Sequence, residues 1–578
     1  MFNSLPTDAQ RVINWEWPQY EPYFNELRLR KLTEANVEKW LANWTQLSDL
    51  LSECFALLYL DKTLHTTDTV IEKRFNTFME NVYTPALSAD QKLKQKLLES
   101  GLEPEGFEIA LRNMRAEADL FREENLPLIV EERKLVSEYD RIIATQTIEW
   151  DGQEYTMPQL AKISANPDRS AREEAWRRAS ARVLEDREAL NEVWVKVMDL
   201  RRQIYQNADK PDYRAYAWQN RLRFDYTPEN AQQFHAAIEE VVVPAAERVY
   251  KRRARLMGVE TLRPWDVNVD VMRTTDLLVD PLSREPLHPF DDVKELEEKA
   301  SVIFHRVDPA LGGYFDTMRT ERLLDLANYK GKAPGAYCIT LPARKRPFIF
   351  ANSIGIQENV NTLFHESGHA FHVFESVNLP YAQQRDYPTE FAEVASMAME
   401  LLAAPYLLAD EGGFYNEEEA ARARVEHLES MLIFWPYMAV VSAFQDWVYT
   451  HHDEASDPAN CDAKWLELWR RFIKGVDWSG LDDEAATGWH RKLHIFRYPF
   501  YYIEYGLAQL GAVQVWANAR RDQAGAVAAY RRALALGGTM PLPELYRTAG
   551  ARFAFDAGTL GEAVSLIEST LEELYALE

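Results

Sequence analysis

A mainly α-helical fold is what this sequence predicts, and three observations carry that expectation. Apolar residues recur at three- and four-residue spacing, with charged faces between them, over most of the chain's length. Strand-like alternation is confined to two short hairpins. Stretches rich in breakers are restricted to 146–168, 259–289 and 307–347. With 578 residues the chain can form several domains and bury large cores.

The helical patterns run over 34–60, 68–82, 90–145, 170–208, 228–258, 290–306 and 415–450. Residues 147–157 alternate around Asp151-Gly152 and predict a hairpin. A second hairpin is expected where 335–341 and 346–351 flank Pro342 to Lys345. Residues 354–379 contain no proline, and Val360, Leu363, Phe364, Phe371 and Phe374 recur at helical spacing, so a helix is expected there. Another follows from Pro388 to Glu400, with Thr389 as its cap and acidic residues in its first turn. Pro499 cannot lie inside a helix but fits the first position of one, which leaves His494 to Tyr498 as loop and starts a helix running toward Ala519. Ala524 to Leu536 resembles half of a tetratricopeptide pair, but no repeat at that period accompanies it, and small-residue packing is the better account. The expected division is a helical N-terminal region, 1–190, and a second domain, 191–578.

The 65 basic and 91 acidic residues leave a net charge of −26, which repels nucleic acid and anionic membrane and draws cations toward clefts. Cys54, Cys338 and Cys461 are widely separated, so neither a disulfide framework nor a cysteine metal site is expected. Residues 1–16 lack a basic start and an apolar core, and no apolar run reaches membrane-spanning length. A cytoplasmic protein is the expectation.

Chemistry enters at His365-Glu366-Ser367-Gly368-His369. Two imidazoles four residues apart on a helix are offset by about 40° and about 6 Å along the axis, so both can reach one metal ion. Glu366 is rotated off that pair and free to act on a metal-activated water, the His-Glu-x-x-His arrangement of zinc peptidases. With 12 His in the chain, such a motif arises by chance in roughly 2% of sequences, so its apolar helical context matters. Gly368 is costly inside a helix and predicts close approach by another backbone.

A catalytic zinc site needs a third protein ligand. His372 lies on the same face, but about 10 Å along the axis from His365, too far for one ion to reach both. A metzincin would have Gly at 372 and His at 375; His372 and Glu375 occupy those positions. On the downstream helix Glu390, Glu393 and Glu400 are candidates. Glu390 suits the helix N-terminus, Glu400 suits a hydrogen bond that orients a ligand histidine, and Glu393 is preferred as the ligand. Spacing alone leaves Tyr502 and Tyr505 open between core packing and a site, although buried phenols want partners. It also leaves 335–341 open between a packed hairpin and an edge strand to which an extended peptide could add.

His365-Glu-Ser-Gly-His-Ala-Phe-His372, followed by Phe391-Ala-Glu-Val-Ala-Ser-Met-Ala-Met-Glu400, resembles the thimet oligopeptidase family of zinc metallopeptidases, in particular its oligoendopeptidase F branch. Asn328 to Cys338 and His494 to Gly506 are similar to two further segments of that family, and the resemblance spans roughly residues 120 to 570. It implies a zincin-type helical metallopeptidase with a small β-sheet at the active site and two helical halves enclosing a deep substrate channel, the catalytic domain being 191–578. It implies one Zn2+ held by His365, His369 and Glu393, with Glu366 as general base in the hydrolysis of internal bonds of short, unstructured peptides. It carries substrate and oxyanion roles onto Tyr498, Tyr502 and Tyr505. His494 stands one residue nearer Tyr498 than in the thimet-type pattern. Gly335, Ala336 and Tyr337 become the substrate edge.

Rival functions remain open on sequence. A related exopeptidase, dipeptidyl or carboxypeptidase, would need a basic group for the substrate carboxylate, and Arg497 is a candidate. The amine-binding Gly-x-Met-Glu-Asn pattern of aminopeptidases is missing from 300–364. A non-catalytic peptide-binding protein with a structural metal would have no use for Glu366. Oligomeric state is not legible.

Overall fold

The computed structural model describes residues 1–160, 163, 166–267, 280–282 and 284–577. Helices dominate it, as expected, with two small sheets. Thr147–Trp150 (β1) and Gln153–Thr156 (β2) pair antiparallel across Asp151 and Gly152, whose φ angles of 50° and 74° are the left-handed pair of a two-residue hairpin. Leu324–Ala327 (β3), Tyr337–Leu341 (β4) and Arg346–Ser353 (β5) form the second sheet in the order β3-β5-β4, with β4 antiparallel and β3 parallel to β5. Both expected hairpins are present. β3 is an addition, too short at four residues to show a period.

The chain falls into two compact units, each discontinuous in sequence. Unit 1 comprises Met1–Ala118, Leu287–Ala420 and Gly511–Phe553; unit 2 comprises Asp119–Pro286, Ala421–Leu510 and Ala554–Glu578. A boundary between 190 and 191 lies inside unit 2, within the helix Arg187–Asn207.

In unit 1 the helices Trp17–Leu29, Val37–Leu64 and Thr84–Ser100 surround Trp40, Trp44, Leu47, Leu93 and Leu97, all fully buried. Thr69–Phe78 passes into Thr84–Ser100 through a π turn at Met79–Tyr83, just before Pro85, which lacks the N–H a regular turn would use. Glu53, fully buried on Val37–Leu64, accepts hydrogen bonds from the Arg344 N–H (2.8 Å) and Nε (2.6 Å), tying the β4–β5 turn to the N-terminal helices. A buried carboxylate is stable only when paired in this way.

Gln357–Ser376 follows β5 and packs against the helix Thr389–Ala403. At their crossing a Cβ on residue 368 would stand 2.4 Å from the Ala395 carbonyl oxygen and 2.5 Å from the Ser396 Cα. Gly368 therefore lets the two backbones meet. On the other side, Phe304 sets its ring edge-on to Phe364 and Phe371 at 5.5 and 5.0 Å. The breaker-rich stretch 307–347 holds a helix, Pro309–Thr320, whose N-terminus Asp308 caps through the Ala310 and Leu311 N–H groups. Gly312, a breaker on sequence, is there because a Cβ would lie 2.3 Å from the His305 ring.

Unit 2 buries Trp194, Trp435, Trp465 and Trp489 completely. A second π turn, Ile238–Val242, precedes Pro244 as the first precedes Pro85. Residues 268–279 and 283 of the expected irregular stretch 259–289 lie outside the described residues. Among the described residues no helix is long and apolar enough to cross a membrane.

Candidate metal centre and active site

Helix geometry builds the first half of the site within unit 1. The His365 and His369 rings stand 5.0 Å apart at 83°. The Glu393 carboxylate faces both, its Oε2 lying 3.4 Å from His365 Nε2 and 3.8 Å from His369 Nε2. One donor atom from each residue lies within 4.8 Å of the others. An ion bound tetrahedrally through arms of about 2.0–2.1 Å needs its ligand atoms about 3.4 Å apart, so two imidazoles and a carboxylate at these separations fit a zinc ion.

Each of the three residues is held from behind. His365 Nδ1 meets Glu400 Oε1 at 2.7 Å, His369 bonds the Ala392 carbonyl, and Ser396 Oγ donates to Glu393 Oε2 at 3.1 Å. Such supports set the ring orientation and tautomer of a metal-binding histidine. Burial opposes a charge on His365, yet Glu393 and Glu400 hold its pKa well above the usual value. Burial takes His369 down to about 4 against the pull of Glu393. Burial raises the Glu393 carboxyl, but the bond to His365 and the charge of His369 bring it below the ordinary range.

Glu366 lies beside this group and is 8% exposed. Burial pushes its carboxyl up to about 7, with His365 opposing and Glu393 adding to the rise. It also accepts the Cys338 backbone N–H of β4. Because N–H groups alternate sides along an antiparallel strand, that bond puts the Cys338 N–H on the side of β4 away from β5. β4 is thus an edge strand with Glu366 against its open side. Gly335 (φ 94°) and Ala336 lead into it, and the Gly335 carbonyl accepts from Asn352 Nδ2 at 2.8 Å. The Tyr337 side chain is engaged otherwise, stacked on Phe350 at 4.7 Å with its hydroxyl 2.6 Å from Thr63 Oγ1. Any part it takes at the edge falls to its backbone.

Of the other residues considered on sequence, His372 stays out of the group. It is fully buried, stacks on Tyr387 at 3.6 Å, and is lowered to about 3 by burial and then by His369. Glu390 lies in the first turn of its helix, where its charge adds to the rise that burial gives the Tyr546 phenol. The parts taken by the Cys338 N–H and the Ala392 carbonyl were not anticipated, because backbone groups leave no pattern in a sequence.

The second cluster lies within unit 2. His494 is in a short helix, Leu493–Arg497, rather than a loop, and Pro499 occupies a turn; the long helix starts at Tyr502. This corrects the expected start at Pro499, and the reason is Phe500, whose φ of 63° breaks the helical path after the proline. The His494 ring centre is 6.2 Å from Tyr498, 4.9 Å from Tyr502 and 6.0 Å from Tyr505, so those four residues do assemble. Tyr501 joins them at 5.8 Å, and Lys492 sets its ammonium 4.3 Å from the Tyr502 ring centre. His494 Nδ1 is buried with no hydrogen-bond partner among the described residues. Burial, then Lys492 and Arg221, lower His494 to about 3, so the ring is neutral. Tyr498 is 44% exposed and Tyr502 only 6%. Arg497 is ion-paired with Asp140.

Comparison with known proteins finds peptidases of similar sequence and fold. Over 197 residues the chain is 28% identical to the group B oligopeptidase PepB of Streptococcus agalactiae, and over 221 residues it is 27% identical to the chromosomal oligoendopeptidase F of Lactococcus lactis subsp. cremoris. These stretches cover 33% and 37% of this chain, but only 30% and 33% of the two relatives. Among solved structures, PZ peptidase A with an inhibitor superposes with a TM-score of 0.84 at 26% identity, covering 99% of both chains. The oligoendopeptidase F of Enterococcus faecium shares the fold at a TM-score of 0.56 and 13% identity, over 99% of each chain. The family model described as Peptidase family M3 matches residues 163–563, more than half of the sequence and a span that takes in both histidines, Glu393 and the His494–Tyr505 segment: the chain belongs to that family.

Proposed function

We propose that this protein is a zinc-dependent oligoendopeptidase that hydrolyses internal bonds of short, unstructured peptides. The observation that carries the reading is the convergence of His365, His369 and Glu393 with Glu366 beside them, in a member of peptidase family M3. A zinc ion held by those three residues supplies Lewis-acid chemistry, polarising the scissile carbonyl and bringing water ionisation toward pH ~7. Glu366 takes a proton from the attacking water and passes it to the leaving amine. Glu400, the Ala392 carbonyl and Ser396 keep the three ligands aimed. The open side of β4, with Gly335, Ala336 and the Tyr337 backbone, binds an extended peptide through main-chain hydrogen bonds, which need little sequence preference. Tyr505, Tyr502 and His494 donate to the developing oxyanion, and Tyr498 contacts substrate.

The ion pair between Arg497 and Asp140 supports an endopeptidase over a carboxypeptidase, since that guanidinium is already engaged. The names of the relatives point the same way. A cytoplasmic location, and partners limited to oligopeptides without nucleic acid or membrane, fit the charge of −26.

The test is mass spectrometry of a mixed peptide library after exposure to zinc-loaded wild type and Glu366→Gln. Internal cuts by the wild type alone are expected. Release of single residues or dipeptides from an end would move the reading to an exopeptidase, and no cuts at all would move it to a peptide-binding protein.

A further inference from the structure

The turn that carries the tyrosine cluster does not hold itself. Phe500 adopts a left-handed φ of 63°, uncommon for a bulky side chain, and its carbonyl and its neighbours' carbonyls are taken by side chains from distant parts of unit 2. Gln445 Nε2 donates to the His494 carbonyl at 3.2 Å, and Gln445 Oε1 accepts the Phe500 N–H at 3.1 Å. Arg201 donates to the carbonyls of Ile495 (3.3 Å) and Phe496. Arg221 Nε donates to the Pro499 carbonyl at 2.6 Å, and Arg223 to that of Phe500. Arg221 and Arg223 then meet on Glu504, at 3.1 and 2.5 Å from the same Oε1. The side chains of Arg223 and Glu504 are 1% and 3% exposed, and that of Arg221 18%.

Buried guanidiniums are expensive to desolvate and persist where geometry repays them. Satisfying turn carbonyls is one use. The shared grip on Glu504 does more. On a helix, residue 504 lies about 200° round from residue 502 and about 100° from residue 505. Anchoring Glu504 to one side therefore turns Tyr502 and Tyr505 to the other, where the His494 ring lies 4.9 and 6.0 Å from them.

We propose that Arg221 and Arg223, through Glu504 and the Pro499 and Phe500 carbonyls, are positioning residues that set the rotation of the helix starting at Tyr502 and so aim the Tyr502 and Tyr505 phenols. The inference rests on the reading of those phenols as donors in peptide hydrolysis. Neither arginine touches substrate. Each acts through the tyrosines, so its effect depends on their hydroxyls being present.

That dependence is the test. Arg221→Gln, Tyr505→Phe and the double variant are compared with wild type, all zinc-loaded, on an internally quenched peptide. Arg221→Gln should lower kcat about 10- to 100-fold, as small misplacements of reacting groups do, with KM changed less than about threefold and zinc content as in wild type. In the Tyr505→Phe background the same substitution should lower kcat by less than about threefold, because coupled residues are not additive. Arg221→Lys, which keeps the charge and one donor, should recover most of the lost turnover; if the glutamine variant does not fold, Glu504→Gln, which weakens the grip of both arginines, takes its place in the cycle. Equal fold-losses in both backgrounds, or an unchanged kcat in Arg221→Gln, would overturn the positioning role. Wild-type turnover in Glu366→Gln or in Tyr505→Phe would instead sink the underlying reading of the site.

Discussion

The metal-ligand group in unit 1 and the tyrosine cluster in unit 2 rest on opposite kinds of support. His365 and His369 converge because they are four apart on one helix, and Glu393 reaches them because Gly368 lets a second helix, only two dozen residues downstream, cross at contact distance. The tyrosines converge because a turn with a left-handed Phe500 is held by arginines nearly 300 residues earlier in the chain. Regular secondary structure aims the first group; long-range hydrogen bonds aim the second. The first should therefore tolerate damage at a distance and fail only to direct hits. The second should be vulnerable to substitutions far from any reacting atom.

The sharpest way to probe the difference is inside the metal-ligand group. Glu366→Gln should retain zinc and fold while kcat falls about 10³- to 10⁴-fold, the range of a lost general base at a demanding step; metal analysis alongside stopped-time peptide assays checks both halves. Next in size is Tyr505→Phe, where the loss of one oxyanion donor should lower kcat by about 10²- to 10³-fold with zinc unchanged. A Tyr505→Phe enzyme with full turnover would leave the unit 2 cluster as core packing, one of the two roles that spacing alone leaves open. Glu400→Ala removes the partner of His365 Nδ1, and chelator competition should show zinc affinity reduced about 10- to 100-fold. Smallest is Gly368→Ala. Its methyl would meet backbone rather than a yielding side chain, and forcing the helices apart should destabilise unit 1 by about 1–3 kcal/mol, seen as a lower thermal midpoint and weaker zinc retention together. A variant that melts lower but keeps zinc would show that the helix crossing and the ligand geometry are separable.

The same contrast explains what could be read ahead of the structure. The His-Glu-x-x-His helix, the glutamate helix behind it and both hairpins announce themselves through short-range spacing. Gly368 was legible as a close approach because its cost in a helix interior demands a reason, though not what approaches. The stretch 307–347 misled in the opposite sense: counted as rich in breakers, it holds the helix Pro309–Thr320, where Gly312 makes room for the His305 ring. Pro499 misplaced the start of the tyrosine helix by three residues, because proline tells where a helix cannot run but not what the next residue does.

What residue order alone was enough to indicate is a donor set: two imidazoles and a carboxylate at helical spacing, a second acidic helix, and a family resemblance through both. Those signals survive in sequence because the interactions behind them span one or two helical turns. Only the tertiary structure could decide which groups stand behind the ligands, that the Cys338 N–H meets Glu366, and that Arg201, Arg221, Arg223 and Gln445 hold the tyrosine turn. It also decided that the chain forms two compact units, each assembled from three separate stretches of sequence. Contacts between residues far apart in the chain obey no spacing rule, so packing alone reveals them.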